Sequence, residues 1–398
     1  MEIKNKNAGL WRLGVLFLLG WYLFELALHY FLQRPLWNDE LCILYNIEHL
    51  SKSDFFSHSL YRDQAFPRFY LYLIRFFSGF YHHSVLSLRF FPLISMLAAF
   101  FVWAVIARRE LKERAFFLFI FSWVSSGMLV YYAAELKQYS LDVLVAGLFL
   151  LFLQRQRELS FGKVAVIFCL LPILGIFSYT AFFFLIFIFW NLFILAIKDI
   201  RFRYVFSVCV VVSLTVFSIV YYFDLRLTDR ALIAAFPQYF VSIKSAGAFF
   251  KTLTEGVNNL ISRWFVVKPL WLRFITRFYM TFGMLELFMG FGRKFKEDQQ
   301  GFYSVGDIAP VLFLELILLS IVHIFPFRLT RAVLFFCPIL FFLTVQFFMR
   351  LEEKWKVGSF FLQSTYACFL FYMALWIMWM AIHGSISLNL SVSPHLGV

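Results

Sequence analysis

Residues 66–80 read FPRFYLYLIRFFSGF, and the layout of the whole chain turns on whether this stretch crosses a membrane. A helix needs roughly 20 apolar residues to cross about 30 Å of hydrocarbon. This one offers about 15, and two of them are Arg68 and Arg75. Short length and two cations predict an amphipathic helix lying flat in the interface. With that stretch set aside, eleven apolar runs remain, at approximately 11–32, 86–107, 115–133, 138–154, 163–179, 181–197, 204–223, 269–291, 307–325, 332–349 and 358–382. The fold class expected is an all-α polytopic membrane protein, one integral membrane domain over 1–398 with amphipathic juxtamembrane helices.

Composition points the same way. The 398-residue chain is 62% hydrophobic and 22% aromatic, with a mean hydropathy of +0.79, whereas soluble domains average about 45–50% apolar residues. Only 15% of residues are charged, against roughly 25% in soluble domains, so a charge outside a short loop needs a reason. The formal net charge of +13 is spread in small groups between the apolar runs. That pattern disfavours nucleic acid and favours membrane lipids as partners. Five scattered cysteines form no C-x-x-C pair, so neither a disulfide framework nor a zinc site is suggested.

Charge also orients the chain. With the N-terminus inside, RRELKER (108–114), QRQREL (154–159), KDIRFR (198–203), GRKFKED (292–298) and RLEEKWK (350–356) become inner loops. About 19 of the 36 Lys and Arg then fall on that side, as the positive-inside rule expects. Making 66–80 a span would carry 108–114 outside and break the pattern. Two long segments, 33–85 and 224–268, are expected on the outer face.

The charges hardest to explain as anchors gather on that outer side. LWNDELCIL (36–44) places Asp39 and Glu40 just after the first span. AAELKQYSLD (133–142) forms an outer turn with Glu135, Lys137 and Tyr139, and FPFRLTRAVLFFCP (325–338) forms another with Arg328 and Arg331. Charged groups near hydrocarbon are costly and mark a site or a substrate path. A carboxylate can act as general base on an acceptor hydroxyl. Arg and Lys can hold a donor phosphate and offset the charge that develops as it leaves. The residues therefore suit transfer from a lipid-linked, phosphate-bearing donor. The blander reading is that Asp39 and Glu40 only cap an interfacial helix.

In order and sidedness these motifs resemble the glycosyltransferase-C superfamily, in particular the polytopic enzymes related to protein O-mannosyltransferases and lipid A aminoarabinose transferases. Asp39-Glu40 resembles that superfamily's acidic pair in the first outer loop. Phe66-Pro67 with Tyr70 and Tyr72 resembles its Pro-plus-aromatic interfacial helix, and VLSLRFFPL, with Arg89, its Arg-bearing entrance to the second span. AAELKQYSL is similar to a small-residue, Arg, x, Tyr pattern, with Lys137 in the Arg position. FPFRLTRAVLFFCP is similar to a Tyr-Pro-x-Gly-Gly-x-Arg motif, with Arg331 and Pro338 on matching positions. Two departures stand out: Arg328-Leu329 replaces the Gly-Gly, and Arg68 follows the interfacial Pro.

The resemblance implies a GT-C fold and an inverting transfer of a sugar from a polyprenyl-phosphate donor to a glycan, lipid or protein acceptor. Asp39 would be the general base. Glu40, Glu135 and Tyr139 would orient the acceptor or the loop around it. Arg331, Lys137, Arg328, Arg68 and Arg89 would bind the donor phosphate. Such enzymes often need no metal; no compact carboxylate–His cluster demands one, and a divalent cation stays open. Short termini and compact loops suggest a bacterial inner or plasma membrane, with the site on its outer face and a role in cell-envelope glycan biosynthesis. The rival classes are a lipid or polysaccharide-precursor flippase or transporter, which would show broken or repeated helices, and a non-catalytic membrane scaffold.

Overall fold

The computed structural model describes residues 2–32, 34–51, 53–64, 66–227, 236–265, 270–294 and 301–355. Those residues are helical throughout, joined by turns and short 3-10 segments, and no strand occurs among them. In chain order the α-helices are α1 (Glu2–Phe31), α2 (Asn38–His49), α3 (Arg68–Gly79), α4 (Val85–Glu110), α5 (Glu113–Val124), α6 (Gly127–Ala133) and α7 (Tyr139–Arg155). There follow α8 (Phe161–Leu170), α9 (Thr180–Lys198), α10 (Ile200–Phe223), α11 (Ala246–Ser262), α12 (Leu270–Lys294), α13 (Val305–Ile321) and α14 (Cys337–Trp355).

Among the described residues, five helical stretches are long and apolar enough to cross a membrane: Trp11–Phe31, Val85–Glu110, Thr180–Lys198, Ile200–Leu227 and Leu334–Lys354. Glu113–Val124 and Gly127–Ala133 make a sixth if counted as one span bent by 56°. The runs at 138–154 and 307–325 fold as the 17-residue helices α7 and α13, and that at 163–179 as α8 followed by a 3-10 segment, Leu171–Ile176. The last run, 358–382, lies outside the described residues. Large apolar side chains cover the outside of the bundle, among them Leu16 and Phe17 on α1, Trp190 on α9 and Val211 and Leu214 on α10. An apolar exterior of this extent suits lipid rather than water as the surrounding solvent. The protein is therefore consistent with a multi-pass membrane protein.

The stretch 66–80 folds as α3, a helix of 12 residues. At 1.5 Å per residue it is about 18 Å long, little more than half the hydrocarbon thickness. Tyr70, Leu71 and Ile74 are buried on one face, while Phe76 is exposed on the other.

Packing brings α4 against α7, α12 against α14, and α9 against α10. Two glycines permit close approaches between these helices. A Cβ at Gly147 of α7 would sit 2.9 Å from the Trp103 indole nitrogen of α4, and one at Gly283 of α12 would sit 2.8 Å from the Leu340 carbonyl of α14. Trp103 uses that approach, donating its indole N–H to the Val143 carbonyl at 3.0 Å. Small residues at such crossings let apolar helices meet without a hydrophobic driving force between them.

Helices α4, α7 and α14 share two ends. Arg89, Tyr139 and the residues before Cys337 lie at one, with the 34–40 and 134–138 segments. Arg109 and Lys112, Glu158, and Glu352 and Glu353 lie at the other, joined by the pairs Arg109–Glu158, Lys112–Glu353 and Arg114–Glu352. Three segments expected to share the inner side, 108–114, 154–159 and 350–356, therefore meet through these pairs, and the Val305 N–H at the start of α13 bonds to Glu110 beside them. Between the ends, Glu286 of α12 is buried against Arg350 of α14 at 3.0 Å.

Candidate functional site

The site is built on Glu40. Asp39 and Glu40 lie in the first turn of α2, where the helix dipole favours acids. Glu40 Oε2 accepts the Trp37 N–H at 3.3 Å, which caps the helix. The same carboxylate receives a two-pronged ion pair from Arg89 of α4, at 2.8 and 3.2 Å. Its Oε1 also accepts the Leu136 N–H at 2.7 Å. Glu40 and Arg89 are both 0% exposed. One buried carboxylate thus ties the start of α2, the start of α4 and the turn between α6 and α7. Its lone pairs are filled, which is what makes a buried ion pair tolerable.

Arg34 extends this frame. Its guanidinium lies 3.7 Å from Glu135, donates to the Ala134 carbonyl at 3.3 Å, and stacks over the Tyr131 ring at 3.8 Å. Its own carbonyl accepts from Arg89 at 2.8 Å. The result is a turn, 134–138, clamped from two directions, and Lys137 projects from it.

Asp39, adjacent to Glu40 but on another side of the helix, faces this turn. Its carboxylate sits 3.1 Å from the Arg331 guanidinium and 3.7 Å from the Lys137 ammonium. Asp39 is 30% exposed and Arg331 26%, so this trio opens to solvent where the Glu40–Arg89 pair does not. Lys137 lies over the Phe66 ring at 5.6 Å, and Arg331 over Trp37 at 5.4 Å. Tyr139 packs edge-on to Tyr132 behind them. Burial lowers the proton affinity of Lys137, partly offset by Asp39. The Glu135 carboxyl is pushed up to about 7, first by burial and then by Glu40, with Arg34, Arg331 and Lys137 opposing. Neither Glu135 oxygen has a hydrogen-bond partner.

The residues expected to bind phosphate separate into two groups. Lys137 and Arg331 meet at Asp39. Arg89, Arg68 and Arg328 do not join them: each is held by an acid of its own. Arg89 is fully buried on Glu40. Arg68, at the first turn of α3, is 2% exposed, lies 3.6 Å from Asp224, and donates to the Phe55 carbonyl at 2.6 Å. Asp224, at the end of α10, also accepts from the Arg68 backbone N–H and the Tyr179 hydroxyl. Arg328 pairs with Glu255 of α11, and its carbonyl accepts from Asn259. The extra cation at the Gly-Gly position therefore anchors α11. Neither Arg328 nor Leu329 needs a positive φ, which explains how the turn dispenses with glycine.

Three partners were missed from sequence. Arg34 lies one residue before Pro35, at the exit of the first span, and reads as a headgroup anchor. Asp224 and Glu255 look like ordinary loop and surface acids. The available signal was the surplus of cations in these loops, since Arg68 and Arg328 near hydrocarbon demand counterions.

Among the described residues, no three His, Cys, Asp or Glu side chains gather as metal ligands. Two cations already flank Asp39, and a divalent ion placed there would be repelled by both. The arrangement suits an anion instead: two cations from separate loops, beside a carboxylate that is open to solvent. Comparison with protein-family models, curated proteins and solved structures gives no match for this chain.

Proposed function

We propose that this chain is a multi-pass membrane glycosyltransferase of the GT-C type, with the eleven spans read from its sequence and its site on the extracytoplasmic face. It moves a sugar from a polyprenyl-phosphate donor to an acceptor hydroxyl with inversion. The observation that carries this reading is the meeting of Asp39 with Lys137 and Arg331, three charges from separate segments of the chain, at a partly exposed position.

In this mechanism Asp39 accepts the proton of the acceptor hydroxyl, whose oxygen attacks the anomeric carbon on the face opposite the phosphate. Lys137 and Arg331 neutralise the phosphate as it leaves. Without substrate, both cations rest on Asp39. A bound phosphate draws on the same cations and leaves the carboxylate to the acceptor hydroxyl. Glu40 is a positioning residue, since it fixes Asp39 and the Lys137 turn through a single carboxylate. Arg89, Arg68 and Arg328 are committed to other acids, which leaves the phosphate to Lys137 and Arg331.

The test is transfer of radiolabelled sugar from a panel of polyprenyl-phosphate sugars by membranes carrying the full chain. Wild type is expected to use at least one donor. Lys137→Met and Arg331→Met should each weaken it tenfold or more, chiefly in donor KM. One observation favours a second reading as a lipid-precursor flippase: the 56° break between α5 and α6, a feature of transporter helices. The break is stitched by Ser126, which donates to the Trp264 carbonyl at 3.0 Å. Movement of labelled lipid across vesicles without any glycoside formed would favour the flippase.

A further inference from the structure

Glu135 has a role that the transfer mechanism above does not use. It is 0% exposed, yet neither carboxylate oxygen accepts a hydrogen bond. Glu40, a few residues away in space, takes bonds from Trp37, Leu136 and Arg89. An ionised carboxylate left without hydrogen bonds in a buried place is expensive. Such a group is poised to take up a proton.

The charge inventory says which proton. Arg34, Arg89, Lys137 and Arg331 face Asp39, Glu40 and Glu135, so the cluster carries one net positive charge when all are ionised. A sugar phosphodiester carries a single negative charge and balances it. Transfer upsets that balance, because the phosphomonoester left behind approaches two negative charges at neutral pH, its second pKa being about 6. Where Glu40, Arg89, Arg34, Glu135 and Lys137 are all buried, an added charge with no partner is disfavoured.

We propose that Glu135 is the proton store of the transfer: it takes the acceptor's proton from Asp39 and holds it while the phosphate product carries its extra charge. This rests on the glycosyltransferase reading. The acceptor O–H bond breaks and its proton passes to Asp39. The acceptor oxygen bonds the anomeric carbon, and the bond from that carbon to the phosphate oxygen breaks, its electron pair staying on the phosphate. The proton then moves from Asp39 to Glu135. The cluster gains one positive charge as the phosphate gains one negative charge, so the buried site stays balanced. Tyr139, at the start of α7, lies near enough to Asp39, Glu135 and Arg331 to feel the charge of all three. Proton release to water follows with the product.

The groups facing Glu135 set its response to pH. They are Arg34 before α2, Glu40 on α2, Tyr131 and Tyr132 on α6, Lys137 in its own turn, Tyr139 on α7, and Arg331 before α14. Burial and Glu40 favour the protonated form, and the three cations oppose it. Below about 7 the store is already full, so transfer should fail as pH falls through that value.

The experiment uses the full chain in lipid nanodiscs, with wild type, Glu135→Gln and Glu135→Asp. Infrared difference spectra over pH 5–8.5 record any carboxyl band that titrates, and transfer is measured over the same range. A band titrating near neutrality in wild type and missing in Glu135→Gln is expected. In the same variant, kcat should fall at least tenfold with donor KM within about twofold, and the acid limb of the profile should vanish. Glu135→Asp keeps a carboxylate beside Arg34 and should keep a limb, which separates proton storage from folding. A Glu135→Gln enzyme that retains the acid limb, or an active wild type without the band, overturns the role of Glu135 alone. A band with no transfer from any donor retires the glycosyltransferase reading and this role with it.

Discussion

The two charged ends of the α4–α7–α14 bundle use similar residues to different effect. At the Glu353 end, Lys112 and Glu353 meet at 2.6 Å with side chains 69% and 58% exposed, and Arg108–Glu113 and Arg114–Glu352 pair in comparable surroundings. Such pairs contribute about 0–1 kcal/mol each. At the Asp39 end, Glu40, Arg89, Arg34, Glu135 and Lys137 are all buried, and only Asp39 and Arg331 reach solvent. Removing charges from water costs several kcal/mol per ion, and replacing such groups by apolar ones often stabilises a protein. An arrangement kept against that cost needs a purpose beyond stability. The difference is one of surroundings, since similar ion pairs are exposed at one end and buried at the other.

The comparison can be pressed hardest at Glu40. Glu40→Ala leaves Arg89 buried and uncompensated, and should destabilise the protein by about 3–5 kcal/mol, read as loss of folded yield in membranes or a lower thermal midpoint in detergent. Glu353→Ala should cost at most about 1 kcal/mol in the same assay. Equal effects at the two ends would break the comparison.

A smaller effect is expected from helix packing, which neither end controls. Gly283→Ala places a Cβ against the Leu340 carbonyl and the Thr344 side chain. Forced overpacking costs roughly 1–3 kcal/mol, so α12 and α14 should part and the thermal midpoint fall. Gly247→Ala, where a Cβ meets nothing within 4 Å, is the control and should leave the midpoint where it was or raise it.

The gentlest probe is pH. The folded-state proton affinity of Glu135, pushed up to about 7, exceeds the usual value near 4.3. The folded protein therefore holds this proton more tightly than the unfolded chain. Its contribution to stability is present below about pH 4 and is lost as pH rises through about 7. Thermal midpoints should fall over that window, and the fall should be shallower in Glu135→Gln.

How much of this could be read from the chain follows the same division. Element type was legible because apolar runs of helical length leave little choice in a chain so poor in charge. The 66–80 stretch was legible as a short helix for the same reason, since length alone limits what it can cross. The gathering of Asp39, Lys137 and Arg331 was suggested by order and sidedness. The specific pairing was not, because a sequence does not reveal which of several cations reaches a given acid. Arg89 illustrates this. Expected on a phosphate, it is locked onto Glu40, and the choice depends on α4 entering directly beside the start of α2. Arg68 and Arg328 were likewise captured by Asp224 and Glu255, acids some 156 and 73 positions away in the chain. Sequence spacing carries no trace of such contacts. The break near Ser126 was also hidden, because its polar groups are satisfied by Trp264 from a distant loop.

The most direct test of the central claim is sugar transfer by membranes carrying wild type or Asp39→Asn, supplied with the donor that wild type uses. Asn keeps the size of Asp and can still meet Arg331, but it accepts no proton. A loss of two or more orders of magnitude in kcat, with expression and donor binding retained, is the result this account predicts. Equal rates in the two proteins would contradict it and remove Asp39 as the base.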